Sequence, residues 1–189
     1  MNDILKRIHK EHNAAIDGMF RDCENDIIAI ARVCTDAIKA NHKLIFCGNG
    51  GSACDAMHIA GEFVGRFVDD RRSLPALALT ADTGIITAIA NDYAYDYIFA
   101  RQIEGLGQKG DVLIALSTSG KSPSVLKAIE AAKAKSITTV LLTGDKARDL
   151  PLTADHRLVV PSRITAHVQE AHMVLLHGLA ALIEAELFQ

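Results

Sequence analysis

The sequence predicts an α/β fold, a three-layer sandwich around a parallel sheet of about five strands with additional helices at the N-terminus. Three observations carry this. From Lys43 onward, short apolar runs alternate with longer stretches of helical periodicity. The runs are continuously apolar, as in strands buried on both faces. The intervening stretches are long enough to be the crossover helices that parallel strands require.

The elements follow in order. Ile4, Leu5 and Ile8, then Ala15, Ile16, Met19 and Phe20, sit at helical spacings, as do Ile27, Ile30, Ala31, Cys34 and Ile38. They predict two N-terminal helices, the second running from Asp26 to Ala40 and stopping at Asn41. This helical segment, residues 1–42, precedes one compact unit spanning residues 43–189. The predicted strands are Leu44–Cys47, Ala76–Leu79, Val112–Leu116, Thr139–Leu142 and Arg157–Val160. Between them the predicted helices are Ser52–Phe67, Thr83–Ile89 and Ser122–Lys135, with a last helix from about Ile164 to Leu187.

Composition narrows the function. In 189 residues, 49% are hydrophobic and 23% charged, the balance of a globular chain with a real core. A net charge of -3 argues against a general binder of nucleic acid or anionic membrane. Aromatic residues are 5% and Trp is absent, which argues against a base-stacking surface. The longest apolar run, Met173 to Ile183, is shorter than a bilayer span and is broken by His177 and Gly178. The N-terminus is charged from the start and lacks an apolar leader, so a cytoplasmic protein is expected. Cys23, Cys34, Cys47 and Cys54 are scattered and are expected to be buried thiols in a reducing compartment.

Open parallel sheets bind ligands beyond the carboxyl ends of their strands. Two loops there look suited to phosphate. The first strand runs into Gly48-Asn49-Gly50-Gly51-Ser52, where Ser52 is a good helix N-cap and free N–H groups attract anions. It is neither a Walker loop nor a dinucleotide fingerprint, because Ala53 stands where the third Gly would be. By itself it reads equally as a tight strand-to-helix turn. The third strand ends in Ser117-Thr118-Ser119-Gly120-Lys121-Ser122-Pro123, with Ser122 as N-cap and Pro123 at the first helical position. Hydroxyls beside helix N-terminal amides make a neutral phosphate cup, whereas a lone Ser-rich loop is often only a solvated turn. Two such loops after two strands of one sheet point to a phosphorylated small molecule.

His58 and Glu62 are four residues apart on a predicted helix, about 6 Å along its axis and on one face. Such a pair can hold a metal or be a surface hydrogen bond. On the last helix, Gln169, His172 and His177 lie among Met173, Val174, Leu175, Leu176 and Leu179. A histidine buried there needs a partner, so a hydrogen-bonded core histidine is the simplest account of His177. Gln169 and His177 are about 12 Å apart along an ideal helix and roughly 80° around it, so spacing alone does not pair them.

Taken together, Gly48–Arg66 (GNGGSACDAMHIAGEFVGR), Asn91-Asp92, Ser117–Ser122 (STSGKS), Leu142–Gly144 (LTG) and Gln169–His177 (QEAHMVLLH) resemble the phosphoheptose isomerases of the sugar-isomerase (SIS) superfamily. The resemblance covers nearly the whole chain in order. It implies conversion of sedoheptulose 7-phosphate into D-glycero-D-manno-heptose 7-phosphate for lipopolysaccharide-core heptoses, with one zinc per subunit in a homotetramer. It implies His58, Glu62, Gln169 and His177 as zinc ligands and Glu62 and His177 as the acid/base pair. Substrate would lie against Asn49, Gly50, Gly51, Ser52, Glu62, Asn91, Asp92, Ser117, Thr118, Ser119, Ser122 and Gln169. Two positions depart from the family: His167 stands where an Arg is usual, and Asp145-Lys146-Ala147-Arg148 lacks the usual pair of glycines. The segment Ser73–Leu79 looks as much like the replication-initiation adaptor of the same superfamily, a non-enzyme. Glu62 and His177 weigh against that alternative, and His177 against a sugar-phosphate sensor without turnover.

Overall fold

The computed structural model describes residues 1–151 and 153–189. The chain begins with one continuous helix, α1 (Asn2–Lys39), where two are expected from the sequence. The join is explained by Cys23, which continues the buried i,i+4 row from Ala15 and Met19 on to Ile27 and leaves no break in the stripe. There follow β1 (Leu44–Gly48), α2 (Gly51–Val64), β2 (Ala76–Ala78), α3 (Thr83–Asp92) and α4 (Ala100–Leu106). The second half comprises β3 (Val112–Leu116), α5 (Pro123–Ala134), β4 (Thr138–Gly144), β5 (His156–Val160) and α6 (Thr165–Phe188). Helix α4 has no counterpart among the predicted elements. It is short, and Gly105 and Gly107 blur its apolar period.

All strand pairings are parallel, in the order β2-β1-β3-β4-β5. Side chains alternate across the sheet and fill two separate cores. Leu44, Phe46, Ile114, Val140 and Leu158 face the layer that holds α1, α2 and α6. Ile45, Cys47, Leu113, Ala115 and Leu141 face the layer that includes α4 and α5. The result is the three-layer sandwich expected. Placing α2 and α6 on the same face is what later brings their polar residues together.

Helix α6 corrects one expectation. Its mean hydropathy reaches 1.4 over an 18-residue window, so by length and composition it is long and apolar enough to cross a membrane. Single polar residues such as His177 do not offset an otherwise apolar window. In this fold Val168, Ala171, Leu175, Leu176, Leu179 and Ile183 are buried in the core shared with α1 and α2. Three of the four cysteines are buried as expected, whereas Cys54 is exposed because it lies on the outer side of the first turn of α2.

The fully buried histidine of α6 is His172, and not His177. Its Nε2 lies 3.4 Å from the Thr143 carbonyl, and its Nδ1 has no partner among the described residues. Burial pushes its pKa down to about 4, against a small upward pull from that carbonyl. His172 is therefore neutral in the fold, while the unfolded chain takes up a proton near pH 6.5. The depressed folded pKa means stability is complete above pH 6.5 and is lost as pH falls toward 4. Between pH 7 and pH 5 this one group should cost about 2 kcal/mol. Urea unfolding at the two pH values should show that loss, and His172→Leu should reduce it by about the same amount. An unchanged pH dependence in His172→Leu would show that other groups set the acid sensitivity.

Candidate active site

The strand order reverses between β1 and β3, which places the crevice where open sheets bind ligands. The register pairs Gly48 with Leu116, so the Gly loop and the Ser loop leave the sheet side by side. Gly50 has φ +58 and caps α2, a left-handed conformation that favours glycine. The cap is thus Gly50, and Ser52 is buried within the first turn, a correction to its expected capping role. A Cβ on Gly51 would overlap the side-chain amide of Gln169, so this glycine lets α6 approach the loop.

The two loops are stitched together. Asn49 donates to Ser124 Oγ at 2.9 Å and accepts from the Tyr95 hydroxyl at 2.9 Å. Ser117 and Ser122 share a hydrogen bond of 3.2 Å between their hydroxyls. Ser119 Oγ accepts from the Lys121 amide at 3.2 Å, and the Thr118 carbonyl accepts from Gly144 N at 3.2 Å. Ser122 caps α5 by position but makes no side-chain capping bond, and Pro123 takes the first helical position. Lys121 is exposed. Asn91 donates to Asp92 at 2.8 Å; both are exposed at the C-terminal end of α3, which extends past its expected end at Ile89.

About two turns along α2 from the Gly loop, α2 and α6 meet through three side chains. His58 Nε2 lies 2.9 Å from His177 Nε2 and 3.4 Å from Glu62 Oε1. Each of the three offers a donor atom within 4.8 Å of the others. The His177 ring stacks on Phe67, with centroids 5.4 Å apart and planes at 21°. Phe67 belongs to the segment after α2, and that segment is tied down by a buried ion pair. Arg71 Nε donates to Glu184 Oε1 at 2.6 Å, with 3% and 5% of the side chains exposed. Glu184 also accepts from the Phe67 and Val68 amides. Burial pushes the Glu184 carboxyl up, but those two amides and Arg71 together hold it below the usual carboxylate range.

Gln169 lies elsewhere. Its amide donates to Asp55 Oδ1 at 3.3 Å, and Asp55 Oδ2 is buried without a partner among the described residues. Burial raises the Asp55 pKa, opposed by the Gln169 hydrogen bond and by His58. Asp55, Phe67, Tyr95, Ser124 and the Arg71–Glu184 pair escape a reading of the sequence. Asp55 alone has a local signal, since it precedes His58 by three residues on the same helix face.

Two imidazoles and a carboxylate converging from two helices suit a zinc-like divalent ion. On this observation His58, Glu62 and His177 fit the group that the family implies. Gln169 would have to give up Asp55 to join them.

A parallel sheet with two hydroxyl- and glycine-rich loops at its switch point suits a phosphorylated small molecule, and comparison with known proteins narrows the class. The SIS domain model matches residues 3–144. The chain is 46% identical over 184 residues to a phosphoheptose isomerase of a Nitratiruptor species, covering 96% of this chain and 98% of that protein. It is 52% identical over 159 residues to that of Burkholderia pseudomallei (strain 1710b), covering 84% and 81%. The structure of phosphoheptose isomerase GmhA from Neisseria gonorrhoeae superposes with a TM-score of 0.90 at 34% identity, over 97% of this chain and 98% of that one. The chain belongs to the SIS domain family, and within it to the phosphoheptose isomerases. It is a sugar-phosphate isomerase, which sets aside the adaptor and sensor alternatives.

The close approach of Gly51 and Gln169 makes a test. Gly51→Ala should push the flexible end of Gln169 off Asp55 at little cost in stability, under about 1 kcal/mol by urea unfolding. Isomerase activity should nevertheless fall by about tenfold or more, a displacement effect. Full activity in Gly51→Ala would show that the Gln169–Asp55 contact is not needed for turnover.

Proposed function

We propose that the protein interconverts sedoheptulose 7-phosphate and D-glycero-D-manno-heptose 7-phosphate in the cytoplasm, supplying heptose for the lipopolysaccharide core. The observation that carries this is the meeting of Glu62 and His177, through His58, on the helix that leaves one of two phosphate-type loops. The reaction moves a proton between C1 and C2 and protons between O1 and O2. The carbon-bound proton is weakly acidic, so a positioned base must take it while charge on oxygen is stabilised.

In this reading Glu62, whose Oε1 lies 3.4 Å from His58 Nε2, takes the carbon-bound proton. His177 moves the oxygen protons. His58 and His177 face each other through Nε2 at 2.9 Å, which brings both rings to one point beside Glu62. Phe67 against the His177 ring limits its rotation and shields one face from water. The Ser loop and the Gly loop grip the phosphate, remote from C1, and that binding orients the reacting end.

A zinc ion held by His58, Glu62 and His177 would supply Lewis-acid polarisation of the sugar carbonyl. Assembly as a homotetramer belongs to the same proposal. Ile4, Leu5 and Ile8, on the first turns of α1, are 54%, 66% and 44% exposed and form an apolar stripe that supports it.

Glu62→Gln and His177→Gln should each lower kcat by about 10²- to 10⁴-fold with the fold intact. Turnover is best followed by NMR, because substrate and product have equal mass. Wild-type rates in both variants would remove the acid/base assignment. Ser119→Ala removes one donor to the phosphate, about 1.5–3 kcal/mol, and should weaken substrate binding roughly ten- to a hundredfold in a calorimetric titration. Unaltered affinity would mean that the phosphate is held elsewhere.

A further inference from the structure

A second cluster of donors lies where α1 crosses the first turn of α6, and the catalytic proposal does not use it. Glu170 Oε2 is 2.6 Å from His12 Nδ1 and 3.0 Å from His167 Nδ1. One carboxylate oxygen is thus met by two imidazole nitrogens, with the three donor atoms within 4.8 Å of one another. His167 is buried, with 5% of its side chain exposed, and Glu11 Oε2 lies 3.5 Å from its other nitrogen, Nε2. The two rings meet edge-on, 6.3 Å between centroids and 79° between planes.

We propose that His12, His167 and Glu170 form a second divalent-metal site, of the zinc type, which clamps α1 to α6. The donor set is right: two neutral imidazoles and one carboxylate are ligands that zinc accepts, with a fourth position left to water. Glu170 and His12 are partly exposed, so water has access to that position. The spacing is right as well. Ligand atoms about 2.0–2.1 Å from a tetrahedral zinc stand roughly 3.3 Å apart, so the observed 2.6 and 3.0 Å need only small outward shifts.

The charge balance points the same way. With both rings neutral the cluster carries the charges of Glu11 and Glu170, and among the described residues neither has a Lys or Arg ion-pair partner. A dication would neutralise both. Glu11 beside the second nitrogen of His167 repeats the arrangement in which an outer carboxylate orients a metal-binding histidine. The ligands also sit on rigid elements: His167 and Glu170 are three apart on α6, and His12 comes from α1. The site is distinct from the trio, because His167 precedes His177 by about 15 Å along the helix axis.

The test removes the trio first. The full chain carrying His58→Ala and His177→Ala, stripped with chelator and then dialysed, is titrated with zinc alone in a calorimeter. It should bind about one ion per chain at micromolar or tighter Kd, and zinc should raise its Tm. Adding His12→Ala or Glu170→Ala should weaken that binding at least tenfold and abolish the Tm shift. A Kd weaker than about 100 μM, or binding indifferent to His12→Ala and Glu170→Ala, would overturn the site. If the double variant does not fold, the same comparison is made in the wild-type background. There His12→Ala should lower the zinc content by one ion per chain, and unchanged content would overturn the site.

Discussion

The hydrogen bond between His58 and His177 joins two helices whose contact residues are 119 positions apart in the chain. Everything proposed for the site depends on that approach. It requires α2 and α6 to lie on the same face of the sheet, which the alternation of Leu44, Phe46 and Ile114 toward that face provides. Gly51 leaves room for the side-chain amide of Gln169 from α6 against the loop. The approach also requires the segment after α2 to stay folded over the pair. The Arg71–Glu184 ion pair does this, and through Phe67 it sets the plane of the His177 ring. Removing one partner of such a buried pair strands the other charge, at about 3–5 kcal/mol.

The loops contribute in a different way. Apart from the exposed Lys121, the polar groups of the two loops are hydroxyls, an amide and backbone N–H groups. Such a cup recognises phosphate by number and placement of donors, with the helix N-termini of α2 and α5 adding their dipoles. Asn49 ties the loops to each other through Ser124 and to the α3–α4 connection through Tyr95.

Much of the fold is legible in the residues. Most of the strands are buried on both faces, so their apolar runs stand out whatever their neighbours. The N-terminal helix reads as two because Phe20 to Asp26 looks polar, and only the burial of Cys23 joins its halves. Within the site, His58 and Glu62 announce themselves because their relation is local, one helical turn. Their meeting with His177, and the roles of Asp55, Ser124 and Phe67, arise from tertiary packing and leave no periodic trace. Spacing does not pair Gln169 with His177, and the structure engages them with different partners, Asp55 and His58.

The central claim is that Glu62 and His177 act as one catalytic unit. A double-mutant cycle tests it most directly, with kcat/KM measured on sedoheptulose 7-phosphate for wild type, Glu62→Gln, His177→Gln and the double variant. Groups that act in one step are strongly non-additive, so the double variant should be little worse than the poorer single variant. Losses that multiply, each residue contributing independently of the other, would contradict the account.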